Sequence, residues 1–249
     1  MKLGKTLKRI SAVVMVFAMI FGVLGMTGST LTAKASSNPV KMYCYDNYIN
    51  WRGYLESNVY IQVDANSAAN KAVYVHYNDG TDEWADEAAT YVTKIDNNTE
   101  IWKAHISGLG ISSEYAIKYV GDGQVYWDNN NGNNYNDSNV LGQANVLADR
   151  LSIQSPSSYM IRAIVKNLAY SKTVTVRYTQ DNWATYQDVP LSYSSSIIGT
   201  DLEQWSVTLN LNEESMDSFQ YCIRYDVNGQ TYWDNNFGAN YDRSFYSPL

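Results

Sequence analysis

Lys172-Thr173-Val174-Thr175-Val176-Arg177-Tyr178 alternates apolar and polar side chains with a period of two. Val174, Val176 and Tyr178 fall on one face of such a segment and Thr173, Thr175 and Arg177 on the other. That is the signature of a half-buried antiparallel strand. The pattern has a counterpart 101 positions upstream, Lys71-Ala72-Val73-Tyr74-Val75-His76-Tyr77. Working outward, each strand runs through a polar loop to a tryptophan, Trp84 or Trp183. Next come Ile101–Ile106, with Trp102, and Gln204–Leu209, with Trp205. Glu114–Tyr119 and Gln220–Tyr225 follow in step. No stretch after the leader keeps a helical period. Short strands separated by Asn, Asp, Gly and Ser loops predict an all-β chain of antiparallel β-sandwiches.

The last strand of each series leads into a tract that repeats. Tyr126-Trp127-Asp128-Asn129-Asn130-Asn131-Gly132-Asn133-Asn134-Tyr135 returns 106 positions on as Tyr232-Trp233-Asp234-Asn235-Asn236-Phe237-Gly238-Ala239-Asn240-Tyr241. The order of segments is therefore met twice, and the chain reads as a duplication. The predicted organisation is a leader at 1–35, one module at 36–137, a linker at 138–146 and a second module at 147–249. Asn136 to Gln143 has no counterpart inside either copy and reads as flexible.

Lys2, Lys5, Lys8 and Arg9 precede an apolar run from Ile10 to Met26, and Ala33-Lys34-Ala35 offers an A-x-A cleavage site. This is the form of a secretory signal peptide, so the mature chain is expected to start at Ser36, outside the cell and without stable membrane insertion. The five basic residues before that cut leave 13 basic against 25 acidic residues, a formal charge of −12. Such a surface repels phosphate polyanions and argues against nucleic acid, whereas a neutral polymer is indifferent to it. The two cysteines, Cys44 and Cys222, occupy non-equivalent places, which favours two buried, unpaired thiols over a disulfide.

Catalytic constellations are hard to find. His76 and His105 lie mid-strand in the first copy alone. Glycoside hydrolysis needs two carboxylates flanking a bond, and Asp128 and Asp234 read as acceptors that order their tracts. A copper polysaccharide oxidase needs a histidine at its mature N-terminus, where Ser36 would stand. An EF-hand needs Gly at its sixth position and Glu at its twelfth, but from Asp128 these fall on Asn133 and Asn139. No enzyme, metal or cofactor is therefore expected. Trp102 and Trp205, inside alternating strands, read as core. Trp84 and Trp183 sit in polar loops, where an indole is costly to expose without purpose. In Tyr126-Trp127 and Tyr232-Trp233 the pleat sends one ring inward and the other out. A flat indole beside Asn amides, each with two N–H donors and an acceptor, suits a sugar ring.

Val165–Tyr178, the loop Asp181-Asn182-Trp183 and Tyr232–Asn236 together resemble a family 21 carbohydrate-binding module, the starch- and glycogen-binding family. The resemblance covers about 150 to 243 and, more weakly, about 39 to 137. It implies immunoglobulin-like β-sandwich modules in tandem, each able to bind α-1,4-glucan without catalysis. The family's first site implies Trp183 and Trp233 in the second copy, with Asn235 and Asn236. In the first copy it implies Trp84 and Trp127, with Asn129 and Asn130. A third aromatic of that site is replaced by Cys222 and Ala116. The family's second site implies Tyr170 and Tyr193, with Asn167 and Lys172 as polar partners. Ala69 replaces the first of those tyrosines in the first copy, although Tyr91 lies near the other place. The family's phosphatase-docking segment has no counterpart. The expected partner is starch or glycogen, with room for a separate secreted amylase; the alternative is an extracellular adhesion or scaffold protein using the same aromatics.

Overall fold

A computed structural model describes residues 38–50, 52–80, 83–107, 113–150, 158–211 and 217–242; the predicted leader lies outside them. Eight strands come first: β1 (Val40–Ile49), β2 (Leu55–Asp64), β3 (Lys71–Asn78), β4 (Ala85–Ala88), β5 (Thr90–Asp96), β6 (Thr99–Ser107), β7 (Glu114–Gly121) and β8 (Gln124–Asp128). Nine follow: β9 (Val146–Asp149), β10 (Ser158–Lys166), β11 (Lys172–Thr179), β12 (Gln187–Pro190), β13 (Ser192–Ser196), β14 (Leu202–Asn210), β15 (Gln220–Val227), β16 (Gln230–Asp234) and β17 (Tyr241–Asp242). The first half forms sheets ordered β1-β2-β6-β5 and β4-β3-β7-β8, the second β9-β10-β14-β13 and β12-β11-β15-β16, with β17 beside β15. Every pairing is antiparallel, and the two halves follow the same strand order.

The alternation in the sequence builds these layers. In β10 the inward residues Tyr159, Ile161, Ala163 and Val165 are fully buried, and the residues between them are half-exposed. They meet Val174 and Val176 of β11 and Ile223 of β15 in one apolar core; Ile61, Val75 and Ile117 belong to its counterpart in the first half. Thr175, expected to face outward, is buried as well. The register sets it between Arg224 and Pro190, whose side chains can cover so short a residue.

Trp102 and Trp205 differ from the expectation of a deep core position. Both are half-buried at the margin of their cores, because each indole N–H donates to a carboxylate, Glu100 at 3.1 Å or Glu203 at 3.0 Å. The same carboxylates pair with Lys71 at 3.0 Å and Lys172 at 2.8 Å, each lysine standing on the opposing sheet. Each half thus carries one Lys–Glu–Trp link from sheet to sheet.

The expectation of a flexible linker is corrected. Residues 138–146 lie along β1: Val140 O accepts from Tyr45 N at 2.8 Å, and Tyr43 O accepts from Gly142 N and Ala144 N, both at 3.0 Å. Gly142 approaches Met42 so closely that a Cβ would collide with its carbonyl oxygen. The reason is apolar burial. Val140, Leu141 and Ala144 join Cys44, Tyr60, Ile101 and Leu147 in a third cluster between the two cores, which Phe237 enters from the second half. A buried ion pair crosses the same seam, Arg150 Nε donating to Asp46 Oδ1 at 3.0 Å. Burial would lower the Arg150 guanidinium, but the Asp46 charge and hydrogen bonds outweigh it and raise it above its ordinary value. Residues 37–249 consequently cluster as one unit rather than two.

Candidate functional site

The repeated tracts are backbone devices first. Each contains three consecutive residues with positive φ, Asn130, Asn131 and Gly132 or Asn236, Phe237 and Gly238, and Asn134 and Asn240 repeat the conformation further on. Asn visits this region far more readily than most side chains, and Gly at no cost. Asn129 Oδ1 accepts from Gly132 N at 3.1 Å, and Asn235 Oδ1 from Gly238 N at 3.0 Å. Asn130 Nδ2 donates to Asn134 O at 2.9 Å, and Asn236 Nδ2 to Asn240 O at 3.0 Å. The expectation that Asn130 and Asn236 offer their amides to a sugar is corrected to that extent, since those amides close the loop. Asn129 and Asn235 are exposed, and their amide N–H groups have no partner among the described residues.

The acids anchor the tracts to the sheets. Asp128 Oδ2 accepts from Met42 N and from Tyr135 Oη, both at 2.8 Å. Asp234 Oδ2 accepts from Ala148 N at 2.6 Å and Tyr241 Oη at 2.8 Å. Burial pushes the Asp234 carboxyl up to about 6 even though these donors favour its charge.

Beside each tract the pleat turns Tyr126 and Tyr232 toward the core, while Trp127 and Trp233 face out, 43% and 42% exposed. In the first half Trp84 and Trp127 are brought together by a residue that sequence reasoning passed over. The His76 ring lies parallel to Trp84 at 4.9 Å and edge-on to Trp127 at 5.3 Å. His76 is paired across the strands with Ala116, the position of the absent third aromatic. Its Nδ1 is 2.6 Å from Asp86, which also accepts from Lys118 Nζ at 2.6 Å. Burial would raise the Asp86 carboxyl, but these two partners outweigh it and hold it below its ordinary value.

The second half uses the same register with different chemistry. Arg177, opposite Cys222, lies 4.1 Å over Tyr186 and 5.2 Å over Trp233. It pairs with both oxygens of Asp188 at 2.7 and 2.8 Å, and Arg224 adds a third contact to that carboxylate at 3.1 Å. Tyr186, Arg177 and Trp233 thereby form an outward strip that parallels Trp84, His76 and Trp127. The signal for it was the shared place of His76 and Arg177 in the two K-x-V-x-V-x-Y strands. Trp183 is not part of this strip. It is half-buried with φ +69°, and its Nε1 donates to Gln220 Oε1 at 2.7 Å. Gln220 stands four residues along β15 from Arg224, the partner of Trp233, or roughly 13 Å by strand rise.

The second predicted site is less assembled. Tyr170 is fully exposed, while Tyr193 is 52% exposed and meets Trp205 edge-on at 5.9 Å. No ring contact joins the two tyrosines among the described residues. Lys172 is corrected: its side chain is only 3% exposed, and its ammonium is held by Glu203 and Asn167 Oδ1. A cation needed between two sheets is not free to grasp a ligand. Asn167 itself is exposed and keeps its amide N–H groups outward-accessible. In the first half Tyr91 repeats the Tyr193 arrangement against Trp102, at 6.0 Å.

Residues 140–244 match the carbohydrate/starch-binding module of family 21. Among relatives, human protein phosphatase 1 regulatory subunit 3B is 41% identical over 80 residues, 31% of this chain and 28% of that protein. Glucoamylase 1 of Rhizopus oryzae is 39% identical over 124 residues, 44% of this chain and 20% of that protein. The chain thus spans less than a third of either relative. Among solved structures, the starch-binding domain of Rhizopus oryzae glucoamylase, in complex with β-cyclodextrin and maltoheptaose, is 32% identical. It covers 40% of this chain and 92% of its own, with a TM-score of 0.33.

Proposed function

We propose that this protein, with a family 21 carbohydrate/starch-binding module at residues 140–244, is a secreted, non-catalytic binder of α-1,4-glucan such as starch or glycogen. The single observation that carries the reading is the outward Trp233 beside the unpartnered Asn235 amide, within the matched module. The indole stacks on the C–H face of a pyranose ring, and the amide tests hydroxyl orientation. An unmatched buried polar group costs about 1–3 kcal/mol, which is how such an amide discriminates. Arg177 and Tyr186 extend the platform of the second half; Trp84, His76 and Trp127, with Asn129, form the platform of the first. The matching strand order of the halves supports two immunoglobulin-like modules in tandem, and the basic and apolar run with its A-x-A site supports a cleaved leader ahead of them. Tyr170, Tyr193 and Asn167 are the residues of a second glucan site in the matched module.

The test is co-sedimentation of the intact chain with granular starch, with and without excess maltoheptaose. Retention on starch that maltoheptaose abolishes supports the reading. Trp233→Ala combined with Trp127→Ala should release the protein at unchanged melting temperature. Retention indifferent to both the sugar and the substitutions would replace the reading with adhesion to a protein partner.

A further inference from the structure

The seam between the halves encloses a cleft of about 400 Å³ lined by residues of both. Trp233, Asn235 and Phe237 come from the second half; Tyr43, Tyr60 and Lys94 are among those from the first. The cleft therefore opens beside the very indole and amide assigned to glucan, yet one wall belongs to the other half. Three observations point to a ligand there.

The first is rigidity obtained against local preference. Phe237 has φ +55°, a conformation in which a bulky side chain is an outlier; its counterpart Asn131 has φ +57°. The phenyl ring sits 4.9 Å from Tyr60 and 5.8 Å from Tyr43, wedged against the first half. With the buried Asp46–Arg150 pair, this wedge holds the cleft walls in register.

The second is unused hydrogen-bonding capacity. Tyr60 is only 8% exposed and lines the cleft, yet its hydroxyl has no hydrogen-bond partner among the described residues. The hydroxyl is open to the cleft rather than sealed inside the fold, so it is free to bond a ligand there. The half-buried Tyr43, also on the cleft wall, is in the same position.

The third is an open strand edge. The outermost strand of its sheet, β5, lends Thr93, Lys94 and Ile95 to the cleft. Lys94 is exposed, and no described residue pairs with its ammonium.

We infer that the cleft is a composite subsite for the same glucan chain that Trp233 holds. The oligosaccharide runs from the indole past Asn235 into the cleft, where the Tyr43 and Tyr60 hydroxyls and the Lys94 ammonium meet its hydroxyl groups. This rests on the glucan-binding reading and adds that the first half sets the chain length preferred by the second. A short sugar covers the Trp233 platform alone, and a longer one reaches the cleft.

The experiment is calorimetry on the intact chain in a Trp127→Ala, Tyr170→Ala background, with maltose and maltoheptaose as probes. Tyr43→Phe, Tyr60→Phe and Lys94→Ala should each weaken maltoheptaose about fivefold, the worth of one hydrogen bond, and leave maltose unchanged. Trp233→Ala should weaken both. Because the tyrosine hydroxyls serve no partner in the fold, the phenylalanine variants should melt no lower than the parent. If the three cleft variants bind maltoheptaose like the parent while Trp233→Ala does not, the cleft inference is overturned and the glucan reading stands. If the parent binds neither sugar, or Trp233→Ala changes nothing, both fall. A lower melting temperature for Tyr60→Phe with equal losses at both lengths assigns that hydroxyl to the fold and overturns the inference.

Discussion

Replacing Phe237 by Asn, the residue of the first copy at that place, sets two opposing energies against each other. Full burial of a phenylalanine side chain contributes up to about 3 kcal/mol, so the half-buried ring of Phe237 contributes roughly 1.5. Its contacts with Tyr60 and Tyr43 at 4.9 and 5.8 Å add about 0.5 kcal/mol each, the low end for aromatic pairs, because both are tilted. Against this, Asn relieves about 1 kcal/mol of left-handed backbone strain. The net loss is about 1.5 kcal/mol, or roughly 3–6 °C in Tm for a unit of this size. The assay is differential scanning calorimetry. The parent should melt in one transition, since residues 37–249 form one unit, and Phe237→Asn should lower and broaden it toward two. The mirror substitution, Asn131→Phe, imposes the strain on a loop with no seam to seat the ring, and should cost about 1 kcal/mol with no change in cooperativity. A Phe237→Asn variant that melts higher than the parent in a single transition would refute the wedge and leave its backbone strain unexplained.

Trp233→Ala should weaken maltoheptaose binding by about 1–3 kcal/mol while costing little stability, whereas Trp205→Ala should destabilise by about 2–4 kcal/mol, less than full core burial would give. The reverse pattern in paired melting and titration experiments would mean that platform and support have been exchanged. Lys172→Met strands the Glu203 carboxylate and should cost about 3 kcal/mol in urea unfolding without altering glucan affinity per folded molecule; an affinity loss at full stability would restore Lys172 to the site. The raised carboxyl of Asp234, at about 6, gives a pH dependence of known sign. The folded state holds a proton that the unfolded state releases from about pH 4 upward, so stability falls as pH rises from about 4 to 6 and is flat above. Acidifying from pH 7 to 5 should therefore add about 1 kcal/mol of stability, rather less than half of the roughly 3 kcal/mol that the whole shift is worth below about pH 4. Burial pushes Asp46 in the same direction, while Asp86 and Asp188, held below their ordinary values, lose their contributions only at lower pH. Asp234→Asn should flatten the profile, and a stability that drops between pH 7 and 5 would contradict the assignment.

The strands were legible because burial enforces alternation: Val174 and Val176 must face the core, so the period of two is written into the chain. The Trp127 and Trp233 positions were legible for the same reason, one step along the pleat from an inward tyrosine. What escaped depends on neighbours across strands. Nothing adjacent in sequence tells His76 or Arg177 that it will lie over a tryptophan, since that follows from register. Lys172 read as a ligand contact because Glu203 is 31 positions away and reaches it only across the two sheets. The Asn-rich tracts read as recognition surface, and half of that richness proved to be backbone geometry. The supposed linker did carry a warning in Val140, Leu141 and Ala144, three apolar residues that a free segment would not retain.

The paired Lys–Glu–Trp links have a consequence for where such a chain can work. In antibody domains a disulfide ties the two sheets together, and its formation requires an oxidant. Here Lys71 with Glu100, and Lys172 with Glu203, make the crossing by charge, while Cys44 and Cys222 stay buried as thiols. Each sandwich therefore closes without sulfur chemistry and is indifferent to the redox poise around it. Each half carries its own clasp, and neither depends on the other for it.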